Sequence, residues 1–133
     1  MSEQEVQLIT VKAKFTYVGI RVKDLEKSVD FYSRMLGMVV KGRSKIDQTK
    51  GETVVLESGG FTLELNYYGK ESPYYTDYAV GEGLDHLAFS VDDLGKALED
   101  ARAAGYRIIS EMKANGSRWA YVEDPNGIWI ELF

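Results

Sequence analysis

Cysteine is absent from the 133 residues, and with it go disulfides, zinc fingers, thiolate clusters and a cysteine nucleophile. Histidine occurs once, as His86, so a single chain cannot offer two imidazoles to one site. Long apolar runs are also missing. The longest, Met35–Val40, falls far short of the roughly 18 residues that a spanning helix needs. There is no basic run: 16 Lys and Arg stand against 21 Asp and Glu, a formal charge of −5. Nucleic acid and anionic membrane are therefore not expected partners. The stretch Met1–Val6 has neither a basic n-region nor a long apolar core, so no secretory signal is expected. The lack of cysteine fits the cytoplasm. What is present, 44% hydrophobic and 28% charged residues, is the balance of an ordinary globular protein of one-domain size.

The chain repeats itself. When Tyr17–Phe31 is laid over His86–Asp100, Val22 falls on Val91, Asp24 on Asp93, Leu25 on Leu94 and Lys27 on Lys96. Both segments read as a strand, an Asp suited to cap a helix N-terminus, and an amphipathic helix. Gly37 and Gly105 are expected to close the two helices. Gly60–Leu65 then matches Gly127–Leu132, placing Glu64 on Glu131. Further strands are expected near 38–45, 52–58 and 61–68, and near 107–113, 118–123 and 128–133. Asp124–Gly127 reads as a tight hairpin turn. The expected layout is an extension over 1–14, a first unit over 15–68, a connecting loop over 69–83 and a second unit over 84–133. A loop of that length in so small a protein is uncommon. Its Tyr74, Tyr75 and Tyr78 fit either a tether packed on the domain or a lid or partner contact.

Strand alternation sorts the side chains. Val18, Ile20 and Val22, Leu63 and Leu65, Leu87, Phe89 and Val91, and Ile128, Ile130 and Leu132 are assigned to the core. The opposite faces carry Tyr17, Gly19 and Arg21; Thr62, Glu64 and Asn66; His86, Ala88 and Ser90; and Trp129, Glu131 and Phe133. Glu131 lies between two aromatic residues, where a carboxylate is costly to keep charged without a cation or donor. Two carboxylates and one imidazole converging on a concave face would suit a divalent metal.

These residues resemble a known family. Val18–Met38, Leu84–Asp93 and Val122–Leu132 are similar to the signatures of the vicinal oxygen chelate superfamily, closest to bacterial glyoxalase I. The resemblance runs from about Phe15 to Phe133. It implies an α+β fold of two βαβββ modules, their curved mixed sheets enclosing a cleft. It also implies a homodimer in which each site draws a module from each chain. Of the family's four metal ligands, the second falls on Glu64, the third on His86 and the fourth on Glu131. Tyr17 stands at the first. A phenol there could bind metal, leave its place to water, or hydrogen-bond a carboxylate; its free pKa near ~10 makes ionisation reluctant. The implied cofactor is one divalent ion: Zn, Ni, Co, Mn or Mg. Among substrate contacts, Arg21 and Lys113 match basic residues of the site. Asn66 stands where the family has Thr, and Tyr68 where it has Asn.

The resemblance implies a lyase or isomerase that moves a proton beside a metal-held carbonyl, with Glu131 the first choice as base and Glu64 the second. One His86 per site argues against iron-dependent ring cleavage, which uses two histidines and a carboxylate. Thiol transfer of the fosfomycin kind expects His at the Tyr17 position. The alternative is a metal-free binding protein of the bleomycin-resistance kind, with Tyr67, Tyr68, Trp119 and Trp129 available for stacking. The negative charge would then favour a cationic ligand.

Overall fold

The structure, a computed structural model, describes residue 12 and residues 16–47, 49–82, 84, 86–114 and 116–133. The expected extension over 1–14 lies outside them except for Lys12, as do the boundary residues Phe15 and Gly83. The chain runs β1 (Val18–Arg21), α1 (Leu25–Asp30), a π-helical turn (Phe31–Met35), β2 (Val39–Ile46), β3 (Gly51–Ser58) and β4 (Phe61–Tyr68). It continues with β5 (His86–Phe89), α2 (Leu94–Ala103), β6 (Ile108–Ala114), β7 (Ser117–Glu123) and β8 (Trp129–Leu132). The strands form two four-stranded sheets in the orders β1-β4-β3-β2 and β5-β8-β7-β6. In each sheet the first strand pairs parallel with the fourth, and the remaining pairings are antiparallel. This is the expected α+β repeat of strand, helix and three strands.

The repeat holds at the level of register. Gly19 lies opposite Glu64, and Ala88 opposite Glu131. Tyr17 and His86 therefore each sit two residues before the partner of a glutamate, on the same face as it. The outermost strands match as well. β2 bulges between Val40 and Gly42, and β6 between Ile108 and Ser110.

Asp24 and Asp93 cap their helices as expected, accepting hydrogen bonds from the Lys27 and Lys96 N–H groups at 3.1 and 3.0 Å. Gly37 and Gly105 follow with φ of 72° and 87°, the left-handed conformation that glycine adopts without steric cost. The first helix departs from the expected continuous α-helix in its last turn. The Leu36 N–H bonds the Phe31 carbonyl five residues back, at 3.2 Å. Just before it, the Ser28 and Ser33 hydroxyls donate to the Asp24 and Val29 carbonyls at 2.6 Å, competing for acceptors of the helical ladder. Phe31 and Tyr32, adjacent in this turn, are both fully buried. Phe31 meets Tyr106 of the other half edge-on, 4.7 Å between centroids.

One apolar core serves both halves. It contains Ile20, Val22, Leu63, Leu65, Ile128, Ile130 and Leu132 as expected. Val18, Leu87, Phe89 and Val91 are only partly buried against it. For Leu87 and Phe89 the reason is position: β5 is an edge strand, and both residues border an apolar cavity of about 630 Å³ shared with Tyr17, Val18, Phe61 and Phe133.

Asp124–Gly127 does more than reverse the chain. Asp124 is 3% exposed and its carboxylate accepts four hydrogen bonds. The backbone N–H groups of Asn126 and Ile128 donate to Oδ1 at 2.7 and 2.8 Å. The Tyr32 hydroxyl and the Asn126 amide donate to Oδ2 at 2.8 and 2.9 Å. Asn126 also donates to Ser28 Oγ at 3.0 Å and accepts from the Lys23 N–H at 2.8 Å. The turn of the second half is thus bolted to the helix of the first.

The loop between the halves lies on the same network. Burial, then the charge of Asp124, pushes the Tyr78 hydroxyl up to about 12, and the same two causes raise Tyr32 well above the tyrosine range. Both phenols hold their protons more tightly folded than unfolded. Their contribution is intact below the ordinary value of 10.0 and is lost as pH climbs above it. Urea unfolding should show stability falling above about pH 10, and Tyr32→Phe should flatten that fall.

Candidate functional site

Between the buried Ile130 and Leu132, Glu131 must point away from the core. It faces β5 on one side and β7 on the other. His86 Nε2 lies 3.4 Å from Glu131 Oε1, with the two side chains 32% and 22% exposed. The Tyr121 hydroxyl, directly opposite Glu131 in the ladder, donates to the same Oε1 at 3.2 Å. The Tyr121 ring meets His86 edge-on at 5.5 Å and leans against Trp129 at 5.5 Å. The result is a half-buried carboxylate and imidazole set in an aromatic wall. One nitrogen and one hard oxygen donor thus lie side by side on this face.

Glu64 holds the matching place in the first sheet, between buried Leu63 and Leu65 and opposite Gly19 and Val55. Tyr17 is half exposed. Among the described residues, no three His, Asp or Glu side chains form a group able to hold a metal. Within one chain, His86 and Glu131 lie together, and Glu64 stands on the other sheet, β4 and β8 being inner strands of different sheets.

The expected substrate contacts divide between two places. Arg21 Nη1 donates to Thr76 Oγ1 at 2.8 Å and to the Tyr74 carbonyl at 3.2 Å, while its guanidinium lies 4.7 Å from the centre of the Tyr68 ring. Tyr68 in turn leans on Tyr74. These contacts fasten the loop over β1, enclosing a cavity of about 610 Å³ that Asp77 and Glu82 also line. Asn66 stands at this end of β4, its amide weakly bonded to the Ile20 and Glu64 carbonyls. Lys113 and Trp119 border a different cavity, of about 350 Å³, against Leu94 and Leu98 of α2. Its walls contain none of His86, Tyr121, Trp129 and Glu131.

Sequence reasoning passed over Tyr121. The signal was available, because alternation along β7 buries Ala120 and Val122 and so turns Tyr121 to the face of Glu131.

The doubled βαβββ unit, with glutamates at equivalent registers, has a counterpart among known proteins. The Glyoxalase/Bleomycin resistance protein/Dioxygenase superfamily matches residues 14–132. The chain belongs to this superfamily. Within it, a lactoylglutathione lyase of Pseudomonas aeruginosa is 32% identical over 151 residues, covering 96% of this chain and 86% of that protein. A lactoylglutathione lyase of Arabidopsis thaliana is 35% identical over 127 residues, 90% of this chain but 43% of its own length. The chain thus spans less than half of that plant relative. Among solved structures, the trypanothione-dependent glyoxalase I of Leishmania major aligns with a TM-score of 0.71 at 31% identity, covering 92% of this chain and 86% of that one. An antibiotic-binding protein from a Streptomyces species aligns at 0.67 with 19% identity, over 92% of this chain and 97% of that one, a likeness of fold alone. No helix of the described residues is long and apolar enough to cross a membrane.

Proposed function

We propose that the protein is a metal-dependent lyase or isomerase of the glyoxalase I kind, acting on the adduct of a small thiol and an α-ketoaldehyde, as a cytoplasmic homodimer. The observation that supports it most is the His86–Glu131 pair, 3.4 Å apart, at the register where the other half carries Glu64 opposite Gly19. The lactoylglutathione lyases of similar length support the same class. His86 and Glu131 of one chain, with Glu64 and the Tyr17 position of the other, would hold one divalent ion. When bound, the ion supplies Lewis acidity to a substrate oxygen.

The remaining work falls to side chains. One glutamate takes the proton beside the carbonyl and returns it one carbon away. Trp129 and Tyr121 wall the site. Arg21 is held by the loop through Nη1, and its planar fork suits a substrate carboxylate, with Asn66 and Tyr68 beside it. Tyr17 favours the alternative, a metal-free binding protein, since a neutral phenol is a poor ligand.

Elemental analysis of untagged protein, followed by turnover of hemithioacetals across Zn, Ni, Co, Mn and Mg, tests the proposal. Wild type should carry about one ion per chain. Glu131→Gln should lose it, together with turnover, by on the order of a hundredfold or more. A wild-type protein that takes up no metal on reconstitution would overturn the proposal in favour of the binding protein.

A further inference from the structure

The loop between the halves holds one guanidinium from two directions. Arg21 lies opposite Asn66 in the ladder, two residues beyond Gly19, which lies opposite Glu64. It therefore shares a face with Glu64, roughly 7 Å further along the strand. Arg21 Nη1 donates to Thr76 Oγ1 at 2.8 Å and to the Tyr74 carbonyl at 3.2 Å. These take both hydrogens that Nη1 carries. From the other direction, the guanidinium carbon stands over the Tyr68 ring, 4.7 Å from its centre. Ring and loop are themselves held. Gly51 lies opposite Tyr68, and a Cβ there would meet the ring at 2.8 Å, so the ring occupies space that only glycine leaves. The buried Ser72 hydroxyl donates to the Thr49 carbonyl and accepts from the Tyr74 N–H, bolting the loop to the β2–β3 turn.

We infer that Thr76 is a positioning residue which, through Arg21, makes the connecting loop a determinant of specificity, selecting a thiol that carries a carboxylate. The inference rests on the lyase reading above and concerns how that site takes the thiol half of its substrate. With Nη1 committed to the loop, the edge turned to a ligand is Nε and Nη2, two parallel donors that match the two oxygens of a carboxylate. A guanidinium free to rotate would lose its rotamer freedom on binding. Here most of that freedom is surrendered before the ligand arrives, and affinity gains accordingly. Because Arg21 and Glu64 share a face, one substrate can meet the fork with its carboxylate and the glutamate with its reacting carbons.

The test titrates S-methylglutathione and its dimethyl ester calorimetrically into wild type, Thr76→Val, Thr76→Ser, Arg21→Lys and the Arg21→Lys/Thr76→Val double variant. Steady-state turnover of the methylglyoxal hemithioacetal of glutathione accompanies it. Wild type should bind the free acid more tightly than the ester. Thr76→Val, equal in shape but without the hydroxyl, should weaken the acid about 3- to 10-fold and leave the ester unchanged. KM should rise by the same factor at constant kcat, and Thr76→Ser should restore both. Arg21→Lys should remove the advantage of the acid, and adding Thr76→Val to it should change nothing further. Wild-type affinity for the acid in Thr76→Val would reduce the contact to packing and overturn the inference. Equal weakening of acid and ester would assign Thr76 a structural role and overturn it too, as would a wild type that binds both alike. The titrations need no metal. A wild type that prefers the acid but takes up no metal would end the lyase reading and leave the carboxylate fork standing.

Discussion

A heterodimer of one Glu64→Gln chain and one Glu131→Gln chain should regain about half of wild-type turnover, although each variant alone is inactive. The expectation follows from where the two glutamates sit. Glu64 is on β4 and Glu131 on β8, inner strands of separate sheets. In a two-fold dimer that pairs the first half of one chain with the second half of the other, every site of a single variant carries one lesion. In the mixed dimer both lesions fall in one site, and the other is wild type throughout. Two different affinity tags isolate the mixed dimer, and initial rates of hemithioacetal isomerisation measure it. Sites built within one chain would each keep a lesion, and the mixed dimer would stay inactive.

Asp124→Ala should be the most destabilising substitution in the turn, by roughly 3–5 kcal/mol. It removes the acceptor of four hydrogen bonds at once. The N–H groups of Asn126 and Ile128, the Tyr32 hydroxyl and the Asn126 amide all donate to this carboxylate, in a place too buried for water to replace it. The melting temperature should fall by on the order of 10 °C. Tyr32→Phe, which removes one donor, should cost about 1 kcal/mol. The two losses should not add in the double variant, because they share a bond. Thermal unfolding by circular dichroism of the four proteins of that cycle measures the coupling. Additive losses would mean that Asp124 holds its turn but not the first-half helix.

How far the fold can be read in advance depends on the range of the forces involved. The strands and helices came through because they rest on local alternation, Asp caps and glycines at positive φ. Their ends shift by a residue or two. The π-helical turn did not, since it arises where two serine hydroxyls and two adjacent buried aromatics compete for the same stretch. Asp124 and Asn126 look like turn residues in sequence. Their bonds to Tyr32, Ser28 and Lys23 span about a hundred residues, and no local pattern carries that. The candidate site was legible in part. Repetition pointed to Glu64, His86 and Glu131 on corresponding faces, and the structure joins only the last two. Which half meets which is a property of packing between sheets, beyond the reach of a period-two pattern. The burial of Leu87 and Phe89 was overestimated for the same reason, as alternation names a face but not what covers it.

The paired bulges in β2 and β6 bear on how copies of this protein can meet. An eight-residue outer strand such as β2, exposed along its whole length, is in principle a template for fibril growth. Its bulge falls at Lys41, followed by Arg43 and Lys45. A flat, uncharged run is thereby interrupted, and an incoming strand would face an extra residue and three cations. The bulge between Ile108 and Ser110 breaks β6 in the corresponding place. With both far edges blunted, end-to-end polymerisation of sheets is disfavoured, and the edges left unbroken by a bulge are the short strands β1 and β5.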